Sequence, residues 1–209
     1  MQKFTIGFRV LLAATVLSTI AEGATLYDSG ITALNGTEPT QLGRISRNGV
    51  ISDWSSVKPF PGDINTSTLY RYTTYNIPIV TFPYVQATFD DVSGTASTFI
   101  AAYQNAYNPL RKSTTYLGDP GRSGNYFGVD PLTFQVIVNV GNTLVLAVND
   151  TSPTGAGVGQ PYRLLVEGFS DTNFNETPIP EPAVWMLTGA GLTGVLLYGH
   201  RRKEADSCV

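Results

Sequence analysis

The sequence predicts an all-β fold, an antiparallel β-sandwich or jelly roll. Three observations predict it. Apolar residues alternate with period two in several runs between Ala24 and Thr177, turn residues recur every eight to twelve positions, and no convincing 3.6-residue apolar repeat interrupts them. Strand order is not legible at this level.

The N-terminus reads as an export signal over residues 1–23. Met1 to Lys3 is short and positive, Val10 to Ile20 is apolar, and Ala21-Glu22-Gly23 puts small residues at −3 and −1. Cleavage is expected between Gly23 and Ala24. Residues 24–170 form the β domain, roughly 150 residues and enough for one substantial core.

Within that domain, Leu69 to Ile77 is rich in aromatic and β-branched residues, and Pro78 and Pro83 bracket what reads as a short edge segment. Val85, Ala87 and Phe89 alternate in a strand ending at Asp90-Asp91. Thr98 to Tyr103 follows the Val92-Ser93-Gly94 turn, which predicts a hairpin. The clearest predicted hairpin is Thr133 to Asn149. Phe134, Val136, Val138 and Val140 line one face, and Gly141-Asn142 suits a type II′ turn. The return strand carries Leu144, Leu146 and Val148 on one face and Val145 and Ala147 on the other, so it belongs in the centre of a sheet. Tyr162 to Glu167 is a further strand with Tyr162, Leu164 and Val166 on one side.

Residues 171–179 are a polar linker. After them stand Pro180-Glu181-Pro182, an uncharged apolar run from Ala183 to Gly199, and the cations Arg201, Arg202 and Lys203. As a helix the run is on the order of 25 Å long, close to the hydrocarbon core of a bilayer. Trp185 and Tyr198 stand near its two ends, as interfacial rings do. The basic cluster predicts a cytoplasmic C-terminus, residues 204–209, and an exported domain. Both prolines disfavour helix and keep the tripeptide extended.

In that order, Pro180-Glu181-Pro182, the apolar run and Arg201-Arg202-Lys203 resemble the PEP-CTERM sorting signal of exported bacterial proteins, over residues 180–203. The resemblance implies processing by an exosortase, transient anchoring in the inner membrane, delivery to the cell surface or medium, and association with exopolysaccharide and biofilm. A plain C-terminal anchor is the alternative. The stretch from Thr98 to Gly168, with Tyr103-Gln104-Asn105-Ala106-Tyr107-Asn108-Pro109, Tyr116-Leu117-Gly118-Asp119, the predicted Phe134 to Asp150 hairpin and the closing Tyr162-Arg163-Leu164-Leu165-Val166 strand, resembles pre-peptidase C-terminal and CUB-like sandwich modules. That resemblance implies a domain that binds, spaces or presents.

Chemistry narrows the function. The formal net charge of −3 and the lack of a basic patch argue against a nucleic-acid partner. The one histidine, His200, and the one cysteine, Cys208, lie in the tail. The exported part therefore lacks a Ser-His-Asp triad, a Cys-His pair and a histidine-ligated zinc site. A hydrolase working through two carboxylates is still allowed, as the weakest reading. No cofactor is required. The metal that the domain suits is calcium, with Asp90, Asp91, Asp119 and Asp150 as candidate ligands at strand ends and turns; solvated turn aspartates are the alternative. Tyr70, Tyr72, Tyr75, Tyr84, Tyr103, Tyr107, Tyr116 and Tyr126 suit a carbohydrate platform if they share an exposed face, and half-buried strand positions if they do not. The leading expectation is a non-catalytic surface or matrix protein, with a carbohydrate-binding module as the alternative.

Overall fold

The computed structural model describes residues 23–95, 97–124 and 131–170. The signal segment before Gly23, Tyr126, the 171–179 linker, Pro180-Glu181-Pro182, the apolar run and Arg201, Arg202 and Lys203 lie outside the described residues. Among the described residues no helix is long and apolar enough to cross a membrane.

The described chain forms Ala24–Thr32 (β1), Thr40–Ile45 (β2), Asp63–Pro78 (β3), Tyr84–Asp90 (β4), Thr98–Gln104 (β5), Tyr116–Gly118 (β6), Leu132–Ile137 (β7), Thr143–Asp150 (β8) and Tyr162–Phe169 (β9). They make two antiparallel sheets, ordered β1-β9-β4-β7 and β2-β3-β8-β5-β6. This is the β-sandwich that the alternation predicts.

The principal core lies between the sheets. Val85, Ala87 and Phe89 of β4 and Leu164 and Val166 of β9 face Ile100 of β5 and Leu144, Leu146 and Val148 of β8. Each such fully buried aliphatic or aromatic side chain contributes about 1.5–3 kcal/mol. The period-two reading of β4, β7 and β9 is reproduced in their burial: Leu132, Phe134 and Val136 point in, while Thr133 and Ile137 point out.

Three connections differ from expectation. β7 and β8 are not a hairpin, because they lie in different sheets. The reason is burial demand. β7 is apolar on one face only and sits at a sheet edge; β8 is apolar on both, needs cover on both, and takes the centre between β3 and β5. The turn between them runs from Asn139 to Asn142, closed by Asn142 N–H on the Asn139 carbonyl at 3.1 Å. Gly141, at φ 91°, occupies its third position, as in a type II turn and not the expected type II′. β4 and β5 likewise lie in separate sheets. Finally, the Pro78–Pro83 segment is a crossover and not a sheet edge. Ile79 N–H donates to Asn142 at 2.9 Å and Val138 N–H to Pro83 at 2.9 Å, so two crossovers run side by side.

The five-stranded sheet is covered on its outer face too. Ile45, Phe99, Ala101, Tyr103, Val145 and Ala147 form a second cluster there, with Phe60, Tyr107 and Tyr116 packed against it.

Candidate functional site

The tyrosines do not form one exposed platform. Tyr70 and Tyr103 are buried. Tyr72, Tyr103, Tyr107 and Tyr116 make a chain of ring contacts under the second cluster's cover, with centroids 4.7–6.0 Å apart. Tyr75 turns inward, its hydroxyl 2.7 Å from that of Tyr162. Tyr84 lies on the other sheet, edge-on to Trp54 at 6.0 Å. Gly23 and Ala24, which flank the expected signal cleavage, stand at the entry to β1, with Gly23 against the Phe169 ring.

Among the described residues no three His, Cys, Asp or Glu side chains come together as a metal site. Asp119 is fully buried, and its Oδ1 takes Lys58 Nζ and Gly121 N–H, each at 2.5 Å. The Tyr116 hydroxyl donates to its Oδ2. Asp91 is buried in a turn where the Ser93 hydroxyl donates to it. Asp90 pairs in register with Arg163, whose guanidinium holds Asp28 at 3.0 and 2.5 Å. That charge-assisted bond lowers the Asp28 carboxyl to about 2.

Asp150 is different. In β8 the inward stripe Leu144, Leu146, Val148 continues, two residues on, to Asp150. In β3 the inward stripe Ile77, Tyr75, Thr73 continues to Arg71. The sandwich's inner face thus ends in a carboxylate and a guanidinium at its open mouth. Asp150 is fully buried; its Oδ1 accepts N–H bonds from Ser152 at 2.8 Å and Gly157 at 3.2 Å. Its Oδ2 has no hydrogen-bond partner. Arg71 Nη1 donates to the Glu38 carbonyl at 3.0 Å. A groove of about 290 Å³ opens there, lined also by Thr40, Leu69, Ser152, Pro153, Thr154 and Gly155. Among these lining residues Asp150 is the one carboxylate, whereas glycoside hydrolysis uses two.

Burial raises the Asp150 carboxyl above its ordinary range, against the pull of the Ser152 and Gly157 amides and the Arg71 charge. Burial thus disfavours the charged form in the folded state relative to the unfolded chain. The stability the neutral form confers is complete below the unfolded carboxylate range, about 3.9, and is lost as pH rises through the raised native value. Asp150→Asn, neutral throughout, is expected to gain in melting temperature relative to wild type as pH rises from the unfolded carboxylate range, about 3.9, through the raised native value. Melts that stay parallel across that range would refute the assignment.

Sequence reasoning named Asp150 as a candidate calcium ligand or a solvated turn aspartate, not as part of a groove. The available signal was its place on an otherwise aliphatic stripe. Arg71 and Thr40 gave no such signal, being drawn in by strand pairing, Thr40 opposite Arg71 in register. A second cleft, about 260 Å³, lies between residues 53–57 and β7. There Trp54 Nε1 donates to the Val136 carbonyl at 3.1 Å and covers the sheet edge.

No known protein family matches the chain, and no curated protein matches it. Among solved structures it is similar to CBM35 from Cellvibrio japonicus Abf62, with 12% sequence identity and a TM-score of 0.30 over 67% of this chain and 94% of that chain. At that level the likeness carries no functional weight.

Proposed function

We propose that the chain is a non-catalytic exported protein of the cell surface or extracellular matrix, a β-sandwich carried on a sorting tail. The observation that carries this reading is the fixed order of Pro180-Glu181-Pro182, the uncharged run Ala183 to Gly199 and Arg201-Arg202-Lys203. In this reading the signal segment directs export and the apolar run stops translocation. Exosortase then acts near the tripeptide, and the product associates with exopolysaccharide.

Two physical points support it. β9 ends at Phe169, and residues 171–179 extend to about 30 Å at most, enough to hold the tripeptide clear of the folded domain. Most of the tyrosines are engaged in packing, and Asp28, Asp63 and Asp119 in ion pairs, which suits a module that presents or spaces.

Fractionation of cells carrying an epitope after Ala24 tests the reading. Wild type is expected at the surface or in the medium, shortened by the tail. A triple alanine change at Pro180, Glu181 and Pro182 is expected to stay full-length in the inner membrane. If both proteins remain full-length there, the tail is a plain anchor and the exopolysaccharide association falls with it.

A further inference from the structure

We propose that the groove at the mouth of the sandwich binds a neutral saccharide, with Asp150 and Arg71 reading its hydroxyls. The inference does not rest on the sorting tail, since the groove is built entirely within the folded domain.

The chemistry of the lining selects the ligand class. A buried carboxylate oxygen without a partner is costly, and Asp150 Oδ2 is such an atom. Gly155 lies beside it, with an ideal Cβ there 3.9 Å from Oδ2. What completes Oδ2 must donate a hydrogen bond, directly or through one bridging water.

A cation would donate, but the Arg71 guanidinium lines the same groove and repels it. An anion suits Arg71 and is repelled by Asp150. Calcium would need six to eight oxygens, and the groove offers one carboxylate beside a positive charge. A neutral polyol meets neither objection, because each hydroxyl both donates and accepts. One hydroxyl completes Asp150 while a neighbouring one accepts from Arg71.

The rest of the lining fits the same class. Thr40, Ser152 and Thr154 bring hydroxyls to the groove, with Ser152 Oγ and Thr154 Oγ1 2.7 Å apart. Leu69, 55% exposed, and Pro153 offer apolar surface to the C–H face of a sugar ring. A volume of about 290 Å³ is at the small end of ligand pockets, which suits a short glycan unit over an extended chain.

The test uses the full chain in a polyoxyethylene detergent, free of sugar headgroups. Saturation-transfer NMR is recorded with methyl pyranosides of gluco, galacto and manno configuration, and binding of sulfate, methylammonium and calcium is measured by calorimetry. At least one pyranoside is expected to bind. Asp150→Asn and Arg71→Met are each expected to weaken it about tenfold or more, the loss of a hydrogen bond to a charged group. Ser152→Ala, at the rim, is a milder variant with the same direction of effect if Arg71→Met unfolds the protein. The proposal is overturned if no pyranoside receives saturation, if only sulfate, methylammonium or calcium binds, or if pyranoside binding survives all of the substitutions that fold. None of these outcomes bears on whether the tail is sorted.

Discussion

Lys58→Met is expected to lower the unfolding free energy by about 3–5 kcal/mol, the largest single-site loss the fold suggests outside its aromatic core. Lys58 is 5% exposed and Asp119 fully buried. Lys58 Nζ lies 2.5 Å from Asp119 Oδ1 and donates to the Val50 carbonyl at 2.5 Å. The ammonium thus ties together the β2–β3 connection and the turn after β6. Around the pair, the Ser52 and Asp119 backbones bond across at 3.0 Å, and the Ser52 hydroxyl accepts the Asp119 N–H at 2.8 Å. Removing the ammonium leaves a carboxylate in a site from which water is excluded. Removing both charges, as in Lys58→Met with Asp119→Leu, is expected to cost less than the sum of the single changes, since a buried pair owes much of its apparent strength to the penalty of breaking it. Denaturant unfolding at unchanged m-value measures this. Single changes costing under about 1 kcal/mol would mean that solvent reaches the pair, as at an exposed ion pair.

That pair also marks a boundary of what the sequence discloses. Asp119 reads as a turn aspartate beside Gly118, and nothing local announces a lysine some sixty positions earlier as its partner. The same boundary runs through the fold. β4, β7 and β9 are legible because each carries its own period-two pattern, and β8 because it is apolar on both faces, which places it in the sheet centre. Which strand lies beside which is set by distant partners. Sequence neighbours therefore read as hairpins where the chain crosses from sheet to sheet. β1 and β2 escape notice for a different reason. Register shifts break β1's alternation between Thr25 and Tyr27 and between Asp28 and Ile31, and β2 is interrupted between Leu42 and Arg44. The groove was half legible: Asp150 continues an aliphatic stripe that can be counted, whereas Arg71 joins it through the pairing of β3 with β8.

Tyr103→Ala is expected to cost about 3–5 kcal/mol, as large as truncating an aromatic of the principal core, while Tyr103→Phe is expected to be neutral or mildly stabilising. An antiparallel sheet usually has one wet face, and the four-stranded sheet obeys this, with Gln86, Thr88 and Thr133 outward on β4 and β7. The five-stranded sheet does not. Thr98 to Tyr103 of β5 and Leu144 to Asp150 of β8 are buried without alternation. Tyr103 is at the centre of the cover, fully buried, with its ring 4.7 Å from Tyr107 and 6.0 Å from Tyr116. Its hydroxyl has no partner, and burial pushes its pKa well up. The ring therefore stabilises the fold and the oxygen does not, which is why the two substitutions part company. Measured stabilities that fall together for both variants would show that the hydroxyl is bonded. A Tyr103→Ala change within about 0.5 kcal/mol of wild type would show that the cover is not packed. Because Tyr103 points to the outer face and the Asp150 groove opens on the inner one, Tyr103→Phe should leave pyranoside binding unaltered. Tyr103, Tyr107 and Tyr116 thus build a second core, while Tyr27, Tyr75 and Tyr162 pack into the first.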